Sequence, residues 1–361
     1  MNKVYYGKAV YNSKEINAVL KVLKNESLSL IDGKNVKILE KKVSNLFGKK
    51  YGLMVNSGSS ANLLATFASC NPLRKNRFKK NDEALIQTLC WPTSLWPLVQ
   101  CGLKINFIDV NPLTLNVNAE ELIKKTTKKT KVILIINVLG LSTDIKIIRD
   151  FCLKKKIILI EDNCESLGAK YDKKFLGTFG DFGTFSFFYS HQITSGEGGM
   201  VICNNKEDYD ILKSLRSHGW SREKKTAIKY PHLDPRYIFI NSGFNLRPTD
   251  IQGAIAHNQF KRLNLLMRKR NQNRNVIIEV LKSSKKWNNQ FNFINVPHNI
   301  KPSWMGFPIL LSKKFKNKKK RFINYLDLKG IETRPIISGN FLNHPAARLY
   351  NLNKNRRKFP N

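Results

Sequence analysis

One histidine stands in a stretch suited to lie close to a ligand. Phe185-Ser186-Phe187-Phe188-Tyr189-Ser190-His191 begins as an apolar strand and crosses into a polar turn. The turn ends in Gly196-Glu197-Gly198-Gly199, before a second apolar run, Met200-Val201-Ile202-Cys203. Small, polar, Gly-rich backbone between two apolar anchors suits close approach to a bound molecule. An imidazole there can move protons, with an ordinary pKa near ~6.5. Three other clusters carry groups that could assist. Val55-Asn56-Ser57-Gly58-Ser59-Ser60-Ala61-Asn62 follows a strand and opens a helix, so successive N–H groups and the helix dipole can face an anion. The same residues also read as an ordinary Ser-capped turn. Ile160-Glu161-Asp162-Asn163-Cys164-Glu165 closes a strand with acids that face the crevice beyond its C-terminal end. Trp91 follows the strand ending Leu89-Cys90, where a core position and a stacking platform are both open.

The elements that must hold these groups follow from periodicity. Apolar strand candidates are 51–55, 84–89, 105–110, 132–138, 157–161, 184–188 and 200–203, with helical segments between most of them. Such alternation predicts an α/β fold with a mostly parallel sheet covered on both faces. Residues 13–24, with Ser13 as cap, and 33–47 have helical spacing and predict an N-terminal helical arm. After Pro248 one long helix is expected over about 249–271. Strand candidates follow at 307–311 and 331–335. The expected division is a large α/β domain over 1–248 and a smaller α+β domain over 249–361.

The 361 residues carry a formal charge of +37. The basic residues are scattered in Lys-Lys pairs with no nucleic-acid motif, so solvated lysine faces explain them and nucleic acid is not an expected partner. A basic field still favours anionic ligands such as a sugar nucleotide. The six cysteines contain no Cys-x-x-Cys pair and form neither a disulfide frame nor an iron–sulfur ligand set. Met1-Asn2-Lys3-Val4-Tyr5-Tyr6 lacks the apolar run of a signal peptide, and the run from Val132 to Leu141 is too short to cross a bilayer. A cytoplasmic protein, with no membrane partner and no metal, is expected.

The segment from Ser186 to Gly199 resembles the lysine-bearing segment of the DegT/DnrJ/StrS-type sugar aminotransferases, fold type I enzymes that use pyridoxal 5′-phosphate (PLP). The resemblance spans nearly the whole chain, with the motifs in family order. It implies that Gly58, Ser59 (in the family's Thr slot), Ser60 and Ser186 hold the cofactor phosphate. Trp91 would stack on the pyridine ring, Asp162 would pair with the ring nitrogen, and Glu165 would flank the ring. Gly243-Phe244-Asn245-Leu246-Arg247-Pro248 matches a family signature whose Asn245 counterpart reaches the cofactor phosphate of the other subunit, which implies a homodimer with shared sites. His218 in Arg216-Ser217-His218-Gly219-Trp220 reads as a phosphate or sugar contact or as a solvated loop histidine. Arg334 and Asn340 are carried over as sugar-nucleotide residues. The chain stops at Phe359-Pro360-Asn361, where members of the family continue, so the small domain is expected to be incomplete.

His191 stands where the family has its lysine. An amine can tether the cofactor aldehyde covalently; an imidazole cannot, but it keeps an acid/base role. This swap resembles the 3-dehydratases of NDP-4-keto-6-deoxyhexoses, which use pyridoxamine 5′-phosphate (PMP). The implied activity is C3 dehydration in dideoxysugar and surface-polysaccharide biosynthesis, with His191 catalytic and L-glutamate as amino donor. Three alternatives stay open: a reductase-coupled dehydratase, an NDP-sugar 4-aminotransferase, and a non-catalytic member of the fold.

Overall fold

The computed structural model of the protein describes residues 3–25, 29–221, 223–354 and 358–359. Met1, Asn2, Pro360 and Asn361, the outermost residues of the two ends read above, lie outside the described residues. The seven expected strands form one sheet. They are β1 (Tyr51–Val55), β2 (Glu83–Gln87), β3 (Lys104–Ile108), β4 (Thr130–Ile136), β5 (Ile158–Asp162), β8 (Phe182–Ser186) and β9 (Gly199–Cys203). A hairpin of β6 (Lys170–Tyr171) and β7 (Lys174–Phe175) lies outside this sheet, next to Ile300–Lys301.

The strand order is β1-β9-β8-β5-β4-β2-β3. All pairs from β8 to β3 are parallel, and β9 is antiparallel to both of its neighbours. Central β4 is apolar along nearly its whole length, as a strand covered on both faces must be. The two apolar clusters contain helix and strand residues together, from Leu64 and Ile133 in one to Leu39 and Phe185 in the other.

This topology brings the chemistry to one edge. β5 ends at Asp162 and β8 ends at Ser186, which pairs with Gly199 at the start of β9. Gly199 also faces Val55 at the end of β1, and the cap of helix α3 (Gly58–Cys70) follows two residues later. A Cβ on Gly199 would lie 2.2 Å from the Ser57 carbonyl oxygen, so only glycine lets β9 run this close to the α3 cap.

Around the sheet, α1 (Ser13–Leu23) is capped by Asn12 and not by Ser13; Asn12 and Glu15 form a capping box. α2 (Lys34–Leu46), α4 (Pro92–Gln100), α5 (Ala119–Lys125), α6 (Ile145–Lys155) and α7 (Lys206–Arg216) follow in order. α8 (Lys224–Lys229) is a short surface helix. The expected long helix divides into α9 (Asp250–Lys261) and α10 (Leu263–Ser283). The break is at Arg262, whose amide bonds back to Gln259 and Phe260 and closes α9 with a tight turn. α9 packs on α1 and α2, and α10 leads into the polar C-terminal region. There only Leu310–Leu311 of the expected 307–311 strand is extended, paired with Phe291–Asn292. Ile331 makes a single bridge to Val4 of the N-terminal arm, and the Pro at 335 has no N–H to extend a ladder. Among the described residues no helix is long and apolar enough to cross a membrane.

Candidate active site

A cavity of about 360 Å³ opens at the strand edge, within the size range of small-molecule sites. Its floor is Asp162, which is 3% exposed. The carboxylate accepts hydrogen bonds from Asn62 Nδ2 and Ser94 Oγ, each at 2.7 Å, and from the Cys164 amide at 3.0 Å. Each donor comes from a different element (α3, α4 and the turn after β5), so the acid is fixed in direction. Trp91 lines the cavity and is 55% exposed, so its ring faces open space and the core alternative fails.

The α3 N-terminus forms another wall. Ser57 caps the helix by accepting from the Ser60 amide at 3.0 Å. A Cβ on Gly58 would lie 2.5 Å from Ser186 Cβ and 3.0 Å from Cys164 Sγ. The bare glycine thus lets the positive helix end meet the Ser186 hydroxyl. Ser59 Oγ lies 2.9 Å from Thr93 Oγ1, which links this wall to α4.

His191 lines the same cavity. Its Nδ1 is buried and unpartnered, a polar atom that wants a ligand. Burial, reinforced by the nearby Arg270 charge, pushes the imidazole down to about 4, against opposing backbone contacts at Cys164 and Ser186. At pH 7 the ring is therefore neutral and able to accept a proton. Glu165 is pushed the other way, up to about 7, by burial and secondarily by the Asp162 charge. Its carboxylate accepts from the Leu139 amide at 2.9 Å.

The two shifts give opposite contributions to stability against pH. His191 adds stability that is present above its ordinary value of 6.5 and is lost as pH falls through about 4. Glu165 adds stability that is present below its ordinary 4.5 and is lost as pH rises through about 7. Melting temperature measured from pH 4 to 8 is expected to separate them. His191→Asn should make the acid limb shallower, and Glu165→Gln should remove a loss between pH 4.5 and 7. Parallel curves for all three proteins would contradict these shifts.

The His191 backbone is anchored from behind. Arg270, from α10, donates to the carbonyls of His191 (3.1 Å), Trp304 (3.1 Å) and Met305 (2.6 Å). Arg270→Met would leave three carbonyls without this donor. A stability loss of about 3 kcal/mol or more is expected in urea melts, at roughly 1–3 kcal/mol for each of the three unsatisfied groups. Because Arg270 positions the histidine from outside the cavity, kcat should fall more than KM rises. An unchanged kcat would limit Arg270 to folding.

Of the expected site residues, Gly58, Ser59, Trp91, Asp162, Glu165, Ser186, His191 and Arg334 line this one cavity. Ser60 stands beside it and directs its hydroxyl to Asn56 Oδ1 at 2.6 Å. Asn340 is not among the lining residues; its side chain caps the Phe341–Asn343 turn and donates to the Phe359 carbonyl. His218 and Asn245 also lie outside the cavity. Both are held by Arg247, whose guanidinium is 3.3 Å from His218 Nε2 and 3.0 Å from Asn245 Oδ1. Reading the residues alone missed Tyr6, Thr93, Ser94, Cys164 and Glu197. Tyr6 reaches the cavity because its arm clasps the C-terminal region: its amide donates to Glu332 Oε2 at 3.1 Å and its ring lies under Arg334. Burial, then the Glu165 charge, raises its hydroxyl to about 12, so it stays protonated.

These groups fit a phosphorylated pyridine. The glycine-lined helix end beside Ser186 is an anion cradle, the open Trp91 face can stack, and the fixed Asp162 carboxylate can meet a ring nitrogen. His191 stands in the same wall, with its Nδ1 left without a hydrogen-bond partner. Among the described residues, no lysine lines the cavity.

Residues 10–361 match the DegT/DnrJ/EryC1/StrS aminotransferase family. The chain is 36% identical over 341 residues to GDP-4-keto-6-deoxy-D-mannose 3-dehydratase of Yersinia pseudotuberculosis, covering 92% of this chain and 84% of that protein. It is also similar to the structure of the E. coli GDP-4-keto-6-deoxy-D-mannose-3-dehydratase with bound hydrated PLP. There the TM-score is 0.87 at 33% identity, covering 97% of this chain and 90% of that one. A second structure of a GDP-4-keto-6-deoxymannose-3-dehydratase, with a trapped PLP-glutamate geminal diamine, gives a TM-score of 0.86 at 33% identity, with 96% and 89% coverage.

Proposed function

The chain belongs to the DegT/DnrJ/EryC1/StrS aminotransferase family, and from that premise we propose that it is a PLP/PMP-dependent 3-dehydratase of a GDP-linked 4-keto-6-deoxyhexose. The observation that carries the reading is a neutral imidazole in a cavity otherwise equipped for the cofactor, with no lysine among the described lining residues. Gly58, Ser59 and Ser186 would hold the phosphate, Trp91 would cover the ring, and Asp162 would keep the ring nitrogen protonated. When bound in its amine form, the cofactor supplies the nitrogen that joins the C4 ketone and a ring that draws electrons.

His191 acts as the base at the cofactor's C4′ carbon and returns its proton to the departing C3 hydroxyl oxygen. A single imidazole serves both steps because the ring that takes up the proton is then the acid that returns it. Arg334 and Tyr6 close the outer wall over the sugar. L-glutamate would be the amino donor for that form, yielding 2-oxoglutarate. The nucleotide diphosphate is drawn to the strongly basic chain.

The two-fold dimer is part of this reading. His218, Asn245 and Arg247 form a polar, cationic group outside the cavity of their own chain, and such a group serves a phosphate in a second copy. A fully active species that sediments at monomer mass would remove this part.

The test is incubation with PLP, L-glutamate and GDP-4-keto-6-deoxy-D-mannose, with products read by mass. The expected sugar is lighter by one oxygen, with ammonia and 2-oxoglutarate formed in equal amounts. Dependence on an added reductase, or a sugar carrying nitrogen at C4, would overturn the proposal.

A further inference from the structure

Two thiols outside the cavity have no part in this chemistry. Cys70 is the last residue of α3, and Cys101 follows the last residue of α4. Their sulfurs are 3.6 Å apart. Both are free and half-buried, whereas Cys90, Cys152 and Cys203 are buried and Cys164 lies in the active-site wall. Thus one pair of cysteines is at once close together, reachable from solvent and remote from the cofactor cradle.

We propose that Cys70 and Cys101 form an oxidisable dithiol, a modification site at which hydrogen peroxide closes an intramolecular disulfide between the C-terminal ends of α3 and α4. The Cys70 thiolate attacks one peroxide oxygen; the O–O bond breaks, hydroxide leaves and takes up a proton as water. Cys70 is left as a sulfenic acid. The Cys101 sulfur then attacks it, the S–O bond breaks and a second water leaves. The two thiols lose two electrons and two protons, and one peroxide is reduced to two waters. The order follows from the pair itself. The hydrogen bond with Cys101 pulls the Cys70 thiol down, which favours Cys70 as first nucleophile, and the shared proton holds the Cys101 thiol up.

The sulfurs must close from 3.6 Å to the ~2.05 Å of a disulfide. Both residues are at helix ends, where a side-chain rotation and a small backbone shift can supply this. A covalent tie here would join two helices whose opposite ends meet at Ser59 and Thr93 in the cavity. The proposal stands apart from the catalytic reading, because neither sulfur touches the cavity.

The test treats the full chain with hydrogen peroxide, blocks remaining thiols with a maleimide and maps peptides by mass without reductant. A linked Cys70–Cys101 peptide pair is expected. The free thiols should drop from six to four, the melting temperature should rise, and dithiothreitol should reverse both changes. In Cys101→Ala, dimedone should trap a sulfenic acid on Cys70 that wild type does not accumulate. If that variant fails to fold, the wild-type peptide map decides alone. Cys70 and Cys101 both recovered as maleimide adducts, or Cys70 recovered only as sulfinic acid, would overturn the assignment.

Discussion

His191→Asn is expected to lower sugar deoxygenation by about 10³-fold, within the 10²–10⁴ range of a positioned proton-transfer group. The amide keeps much of the ring's volume and a polar edge, but it cannot take up a proton. The groups that hold the cofactor come from other elements: Ser186 from β8, Asp162 from β5, Gly58 and Ser59 from α3. Binding of PLP, followed by its absorbance, should therefore stay within a few-fold of wild type while kcat collapses. A loss confined to KM would mean that His191 binds the sugar and moves no proton. The same variant removes the group whose pKa is depressed to about 4, so its acid stability curve gives an independent check on folding.

Asp162→Ala is expected to cost both catalysis and stability. Three donors converge on this carboxylate, and its removal takes away the acceptor of the buried Asn62 and Ser94 side chains. At roughly 1–3 kcal/mol for each stranded buried donor, a loss of about 2–5 kcal/mol is expected in denaturant melts. The carboxylate that these three donors fix is also the group that would meet the cofactor's ring nitrogen. Without it the ring loses the charge that makes it an electron sink, and kcat should fall by about 10²–10³-fold, the scale of one preorganised electrostatic group. Asp162→Asn separates the two effects: packing is largely kept, so stability should recover while activity stays low. Recovery of activity in the Asn variant would show that Asp162 only holds the site together.

Much of this site could be read from the residues because it is built from strand ends. Val132–Ile136 announces a buried strand by continuous apolar character, and Asp162 follows directly on the expected 157–161 strand; Ser186 falls inside the expected 184–188 strand, and its place at the end of β8 comes from the structure. The Ser57 turn was ambiguous as sequence. What decides it is the approach of Ser186 to Gly58, a contact across 128 positions that local pattern does not encode. Trp91 was ambiguous for the same reason, since exposure is a property of the assembled edge. Tyr6 and Ser94 carry no local signal: one arrives on an arm held by a bridge from Val4 to Ile331, the other by a bond across 68 positions. The break at Arg262 was hidden because the apolar spacing runs through it. Asn340 looked like a pocket residue beside Gly339, but its amide is engaged in closing a turn.

The central claim concerns what an imidazole does in place of an amine. It is tested most directly by one turnover of PMP-loaded protein on a 4-keto-6-deoxyhexose nucleotide labelled with ¹³C at C3, followed by NMR. The account requires the labelled carbon to move from a hydroxyl-bearing to a methylene environment, with C4 released as a ketone. A labelled carbon that keeps its hydroxyl, next to a C4 that has gained nitrogen, would contradict it.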